Sequence, residues 1–190
     1  MAKALSIIGG IFAILIVFLG MFVGFFGIWN FSVSGTGVSG SIWINAFCGF
    51  TSNLNVPILP ALTESVAVAN GQNVVLKMFP GIMILVGGII AVIPKRGTAI
   101  LGGLLMLAGF VLVVLWLIIG YPYTNTDLKT DINAIALLAP SIQTMPLYGS
   151  TTINALLASW TLSWQIGWGA LLIIPCGIFA LAGAGKPKGK

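Results

Sequence analysis

Residues 4–29 read ALSIIGGIFAILIVFLGMFVGFFGIW, a run without a single charge. About 20 apolar residues suffice to cross roughly 30 Å of hydrocarbon, so this run predicts a membrane-spanning helix with some tilt. A cleaved signal peptide is the competing reading. It needs a shorter apolar core and a small-residue cleavage site, and neither is clear here. Composition points the same way as the run. The chain has 190 residues, of which 58% are hydrophobic and 6% charged, whereas about a quarter of a soluble domain is charged. A soluble fold would have little to place on its surface, so lipid is the expected solvent.

Three further runs follow. MFPGIMILVGGIIAVIP, residues 78–94, is bracketed by Lys77 and Lys95, and its start extends back to about residue 72. TAILGGLLMLAGFVLVVLWLIIG covers residues 98–120. The PKRG link between these two is so short that they must form an antiparallel helical hairpin. WQIGWGALLIIPCGIFALAGAG covers residues 164–185, with Pro175 placed to kink it. The expected fold class is an all-α membrane protein, a four-transmembrane-helix bundle with a small extracellular cap of short strands and helices. One membrane domain, residues 1–190, holds spans at 4–29, 72–94, 98–120 and 164–185, with outer segments at 30–71 and 121–163.

Charge sets the expected orientation. Lys3, Lys95, Arg96, Lys186, Lys188 and Lys190 fall on one side, while Lys77 and Lys129 share the other with Glu64, Asp127 and Asp131. Basic residues favour the cytoplasmic side, so the expectation is a multi-pass plasma-membrane protein with both termini cytoplasmic. The net charge of +5 lies at span ends and not among polar aromatics, which argues against nucleic acid as a partner. Trp29, Trp116, Tyr121, Trp164 and Trp168 fall near the outer ends of the spans and read as interface anchors.

In the first outer segment, FSVSGTGV and SIWIN alternate apolar and polar residues, predicting two short strands around a glycine turn. SGSIWINAFCGF, residues 39–50, reads as an outward strand and a tight bend. Its apolar side chains belong either to a small intrachain core or to a partner surface, so Trp43, Phe47, Cys48 and Phe50 are the candidate contact residues. PALTESVAVANG predicts a short helix. In the second outer segment, Asp131 to Leu138 predicts another helix, and INALLASWTLSW a third that leads into the last span. That segment also has room to add an edge strand to the first. GMFVG places Gly20 and Gly24 in a GxxxG pattern, and Gly87 and Gly102 lie in glycine pairs that allow close helix packing.

Four spans, inside termini and a strand-rich first outer segment resemble the claudin-like tetraspan superfamily. Claudins carry a tryptophan and then Gly-Leu-Trp followed shortly by a cysteine in that segment. Here Trp29 followed by SIWINAFC makes Trp43 and Cys48 similar to that signature, and IGWGALLIIPCGIFALAG looks like the claudin fourth helix. The resemblance implies a helical bundle under a strand-rich cap. The family places two cysteines in this segment where Cys48 stands alone, and the charged residues that set claudin pore selectivity have no counterpart.

The chain has no histidine and no charged residue inside the four runs. It holds no Walker, Rossmann or zinc-type pattern. Its three acids, Glu64, Asp127 and Asp131, lie in the outer segments. No enzyme activity, cofactor or metal is therefore expected. Cys48 and Cys176 are expected at different membrane depths, which argues against an intramolecular disulfide. The sequon Asn30-Phe31-Ser32 lies at the membrane edge, out of reach of the glycosylating enzyme. The function expected is that of a non-catalytic membrane protein acting through contacts, as a scaffold, adhesion-like protein or accessory subunit. The alternatives are a structural subunit of a respiratory or quinone-linked membrane enzyme, and an oligomeric channel or transporter. The expected partners are membrane lipid and either other membrane subunits or copies of the chain itself.

Overall fold

The computed structural model describes residues 2–47, 50–52, 74–119, 141, 145, 147–155 and 158–185. Among the described residues are four helices, α1 (Ala2–Leu19), α2 (Val74–Val92), α3 (Arg96–Ile119) and α4 (Trp168–Gly183). Five strands accompany them, β1 (Trp29–Gly35), β2 (Val38–Ile44), β3 (Phe50–Ser52), β4 (Tyr148–Ala155) and β5 (Ala158–Ile166). They form one antiparallel sheet in the order β3-β2-β1-β5-β4.

This corrects the all-α four-span expectation in two ways. A five-stranded sheet is a major layer of the fold, and among the described residues one helical segment, Arg96–Leu115, is long and apolar enough to cross a membrane. Lys3–Leu19, Met78–Val92 and Trp168–Gly183 are apolar but shorter. The 16 residues of α4 extend about 24 Å at 1.5 Å per residue, short of roughly 30 Å of hydrocarbon.

The cause lies at the ends of the runs. The first run leaves the helix after Leu19, where Gly20, Gly24 and Gly27 crowd within eight residues. A 3-10 turn at Gly24–Phe26 then redirects the chain, and Trp29 opens β1. In the last run Trp164, Gln165 and Ile166 belong to β5, and α4 begins at Trp168. The described residues of INALLASWTLSW are strand and not helix. They contribute to both arms of the β4–β5 hairpin, with Ile153 opposite Trp160. The β1–β2 hairpin follows the alternation of its sequence and turns at Thr36-Gly37, where Gly37 takes a φ of +71° that glycine alone adopts freely. The predicted helices in PALTESVAVANG and Asp131–Leu138 lie outside the described residues.

The helices pack in the cyclic order α1, α2, α3, α4 and back to α1. Glycines mark each crossing. A Cβ on Gly10 would meet the Gly88 carbonyl at 2.5 Å, and one on Gly102 would meet the Gly87 carbonyl at the same distance. Gly103 faces the Gly177 carbonyl between α3 and α4, and Gly9 faces the Cys176 carbonyl between α4 and α1. Glycines at these crossings let the helix backbones approach closely. Ser6 adds a buried hydrogen bond from its hydroxyl to the Ala91 carbonyl at 2.5 Å. At the α2–α3 link, Thr98 donates its hydroxyl to the carbonyls of Ile93 and Lys95, both at 2.7 Å.

The sheet joins this layer through one continuous core. Trp29 and Phe31 of β1, Ile42 and Ile44 of β2, and Leu162 and Trp164 of β5 are buried. They belong to the same cluster as Val17, Ile84, Val113 and Ile173 from the four helices. Since side chains alternate along a strand, the apolar face of the sheet is committed to the core and the other face is left for solvent.

Candidate contact surface

The register of the sheet builds the outer face. Ser41, Ser32, Ser163 and Ser150 stand opposite one another across β2, β1, β5 and β4. One pleat further out, Ser39, Ser34, Thr161 and Thr152 form a second row. Neighbours within a row are about 4.8 Å apart and the rows about 6.8 Å apart, so eight hydroxyls make a grid. The outer row is exposed throughout, as is Ser150. Within the inner row the Ser32 and Ser163 hydroxyls bond each other at 2.7 Å. No charged side chain lies on any of the five strands. Uncharged hydroxyls both donate and accept, so the face offers hydrogen bonds without fixing the sign of a partner.

A third row, nearest the helices, differs. It runs Trp43, Asn30, Gln165, Tyr148. Gln165 and Tyr148 are exposed, whereas Trp43 is 8% exposed. The 3-10 turn covers its ring, since a Cβ on Gly24 would lie 3.0 Å from it. Trp43 Nε1 and Asn30 Oδ1 are both buried without a hydrogen-bond partner. One is a donor and the other an acceptor, on residues directly opposite in register.

The residues singled out from the sequence are distributed as follows. Trp43 faces the turn, and Phe47 is half-buried against α2, where a Cβ on Gly81 would lie 3.0 Å from its ring. These two residues of the candidate contact stretch are thus packed within the chain. Phe50 sits in β3 opposite Ile44, and Cys48 lies outside the described residues. Gly20 and Gly24 flank a turn beyond α1 and form no helix-packing face. Gly87 and Gly102 meet at the α2–α3 crossing. Of the expected anchors, Trp29 and Trp164 are instead core residues of the sheet, and Trp164 donates its Nε1–H to the Met145 carbonyl at 2.8 Å. Trp168 is half exposed and stacks on Phe25 with ring centroids 6.0 Å apart, at the junction of sheet and helices. The Trp116 side chain, Tyr121 and the three acids lie outside the described residues. Among the described residues no cluster of His, Cys, Asp or Glu is arranged to hold a metal.

The sequence reading missed the hydroxyl grid. Its signal was present in S-W-T-L-S-W-Q-I, where Trp160, Leu162, Trp164 and Ile166 alternate with Thr161, Ser163 and Gln165. Compared with known proteins, the chain matches no family model, no curated protein and no solved structure. The likeness to claudins therefore rests on short stretches of sequence alone.

Proposed function

We propose that this is a non-catalytic membrane protein that works through protein contacts, with its helical layer in lipid and its sheet held in water as the contact module. The observation that carries this reading is the outer surface of the helices. Phe12 and Leu15 of α1, Phe79 and Ile89 of α2, Leu104 and Val111 of α3, and Ile178 and Phe179 of α4 are all exposed. Soluble monomers rarely expose contiguous apolar patches beyond a few hundred Å². The two ends of the helices support the same placement. Lys3, Lys95 and Arg96 are exposed at the end away from the sheet, which favours the cytoplasm for that end. Phe25 and Trp168 stand at the opposite end, where aromatic side chains suit the lipid–water boundary.

The test is the native mass after gentle extraction from the membrane. A species larger than one chain is expected, and a charge at the centre of the grid, Thr161→Lys, should reduce it. A single chain in detergent, unchanged by Thr161→Lys, would count against a contact function.

A further inference from the structure

The two edges of the sheet are unlike. β3 has three residues and makes a short edge, whereas β4 runs for eight, Tyr148–Ala155, and is the other edge among the described residues. Proteins usually blunt a long edge with charge, proline or a bulge, because its unpaired N–H and C=O groups invite another strand. β4 reads YGSTTINA, with no charge and no proline. Its pairing with β5 runs in register from Tyr148 to Ala155 without a bulge. Tyr148, Ser150, Thr152 and Asn154 are exposed along it, Tyr148 at 73%.

We propose that β4 pairs with β4 of a second copy, antiparallel about a two-fold axis at Thr152. This inference rests on the contact reading above and names the partner. Three observations select it. The first is charge: the whole hairpin Tyr148–Ile166 is uncharged, so two copies meet without like charges in opposition. The second is the pleat. Opposite residues in an antiparallel pair share a face, so a register about one residue keeps the outer face of one copy with the outer face of the other and inner with inner. About Thr152, the other copy's Asn154 falls opposite Ser150 on the outer face, and Ile153 opposite Thr151 on the inner. A register between two residues would join the hydroxyl face of one copy to the core face of the other. The third is continuity. The outer row Ser39, Ser34, Thr161, Thr152 would run through the axis into the same row reversed, making one line of hydroxyls across both sheets. Thr–Thr and Ser–Asn pairs directly opposite one another are favourable cross-strand neighbours. With a single long edge per copy among the described residues, the assembly closes as a dimer and does not grow into a filament.

The experiment is disulfide trapping in the native membrane, in a Cys48→Ser background so that Cys176, buried in α4, is the one native thiol left. Thr152→Cys places two thiols opposite each other, at Cα separations of about 4.5–5.5 Å, within disulfide range. Mild oxidation should convert Thr152→Cys to a covalent dimer, while Thr161→Cys, one strand further in on the same face, stays monomeric. Thr152→Lys, which sets two charges across the axis, should abolish the non-covalent dimer. Absence of cross-linking in Thr152→Cys, or equal cross-linking in Thr161→Cys, would overturn the proposal. If a larger native complex then persists in Thr152→Lys, the contact reading stands with another partner and only the β4 pairing falls.

Discussion

The closeness of α2 and α3 is open to a single-atom test. In Gly102→Ala the new Cβ would lie 2.5 Å from the Gly87 carbonyl, 2.7 Å from the Ala91 nitrogen and 2.8 Å from the Ala91 Cβ. Ordinary contact begins near 3.4 Å, so relief needs the helices to part by about 0.9 Å. No rotamer change can supply this, since two of the three contacts are backbone. Parting α3 from α2 also disturbs its crossing with α4 at Gly103 and Gly177. Overpacking of this kind costs about 1–3 kcal/mol, and three contacts under 3 Å place it at the upper end. Alanine returns up to about 1 kcal/mol in helix propensity, leaving a net loss of about 2 kcal/mol. For a chain of this length that lowers Tm by roughly 4–8 °C. Gly97→Ala is the matched control, because a Cβ there meets nothing within 4 Å. It should leave Tm unchanged or raise it by up to about 4 °C. Thermal unfolding of both variants in the same detergent decides the matter. Equal and upward shifts would refute the close crossing.

Three more outcomes are expected. Trp164→Phe removes the donor to the Met145 carbonyl and some core volume, costing about 1–3 kcal/mol in denaturant unfolding. Trp43→Phe should cost less, because the indole N–H it removes has no partner, and a larger loss there would contradict the unpaired geometry. Ser32→Ala and Ser163→Ala should each cost at most about 1 kcal/mol and show a coupling in the double-mutant cycle, since their hydroxyls bond each other.

The apolar helices were legible because long runs without charge have few other solutions. The β1–β2 hairpin was legible for a different reason, since FSVSGTGV alternates around a glycine that takes a positive φ. What misled was hydropathy read by length alone. GMFVGFFGIW is apolar enough to continue a span, yet its three glycines favour a turn, and the chain makes one at Gly24–Phe26. SWTLSWQI carries a clear period of two, but its nearness to an apolar run makes it look like the start of a helix. Its tryptophans gave the same misdirection. Trp29 and Trp164 look like interface anchors from their position, but period-two spacing turns them onto the core face. The candidate contact surface was harder still, because a hydroxyl row is written one residue at a time on four strands from two distant segments. Only the register brings Ser32 beside Ser163.

The central claim is that lipid covers the helices and water covers the grid. The most direct test labels single cysteines, again in the Cys48→Ser background, in sealed membranes with a membrane-impermeant thiol reagent. Phe12 and Thr161 are both exposed in the protein itself, Phe12 at 55%. Thr161→Cys should react readily from the outer side. Phe12→Cys should stay unlabelled until detergent strips the lipid. Comparable labelling of both in intact membranes would mean that water reaches the helical surface, and the membrane placement would fail.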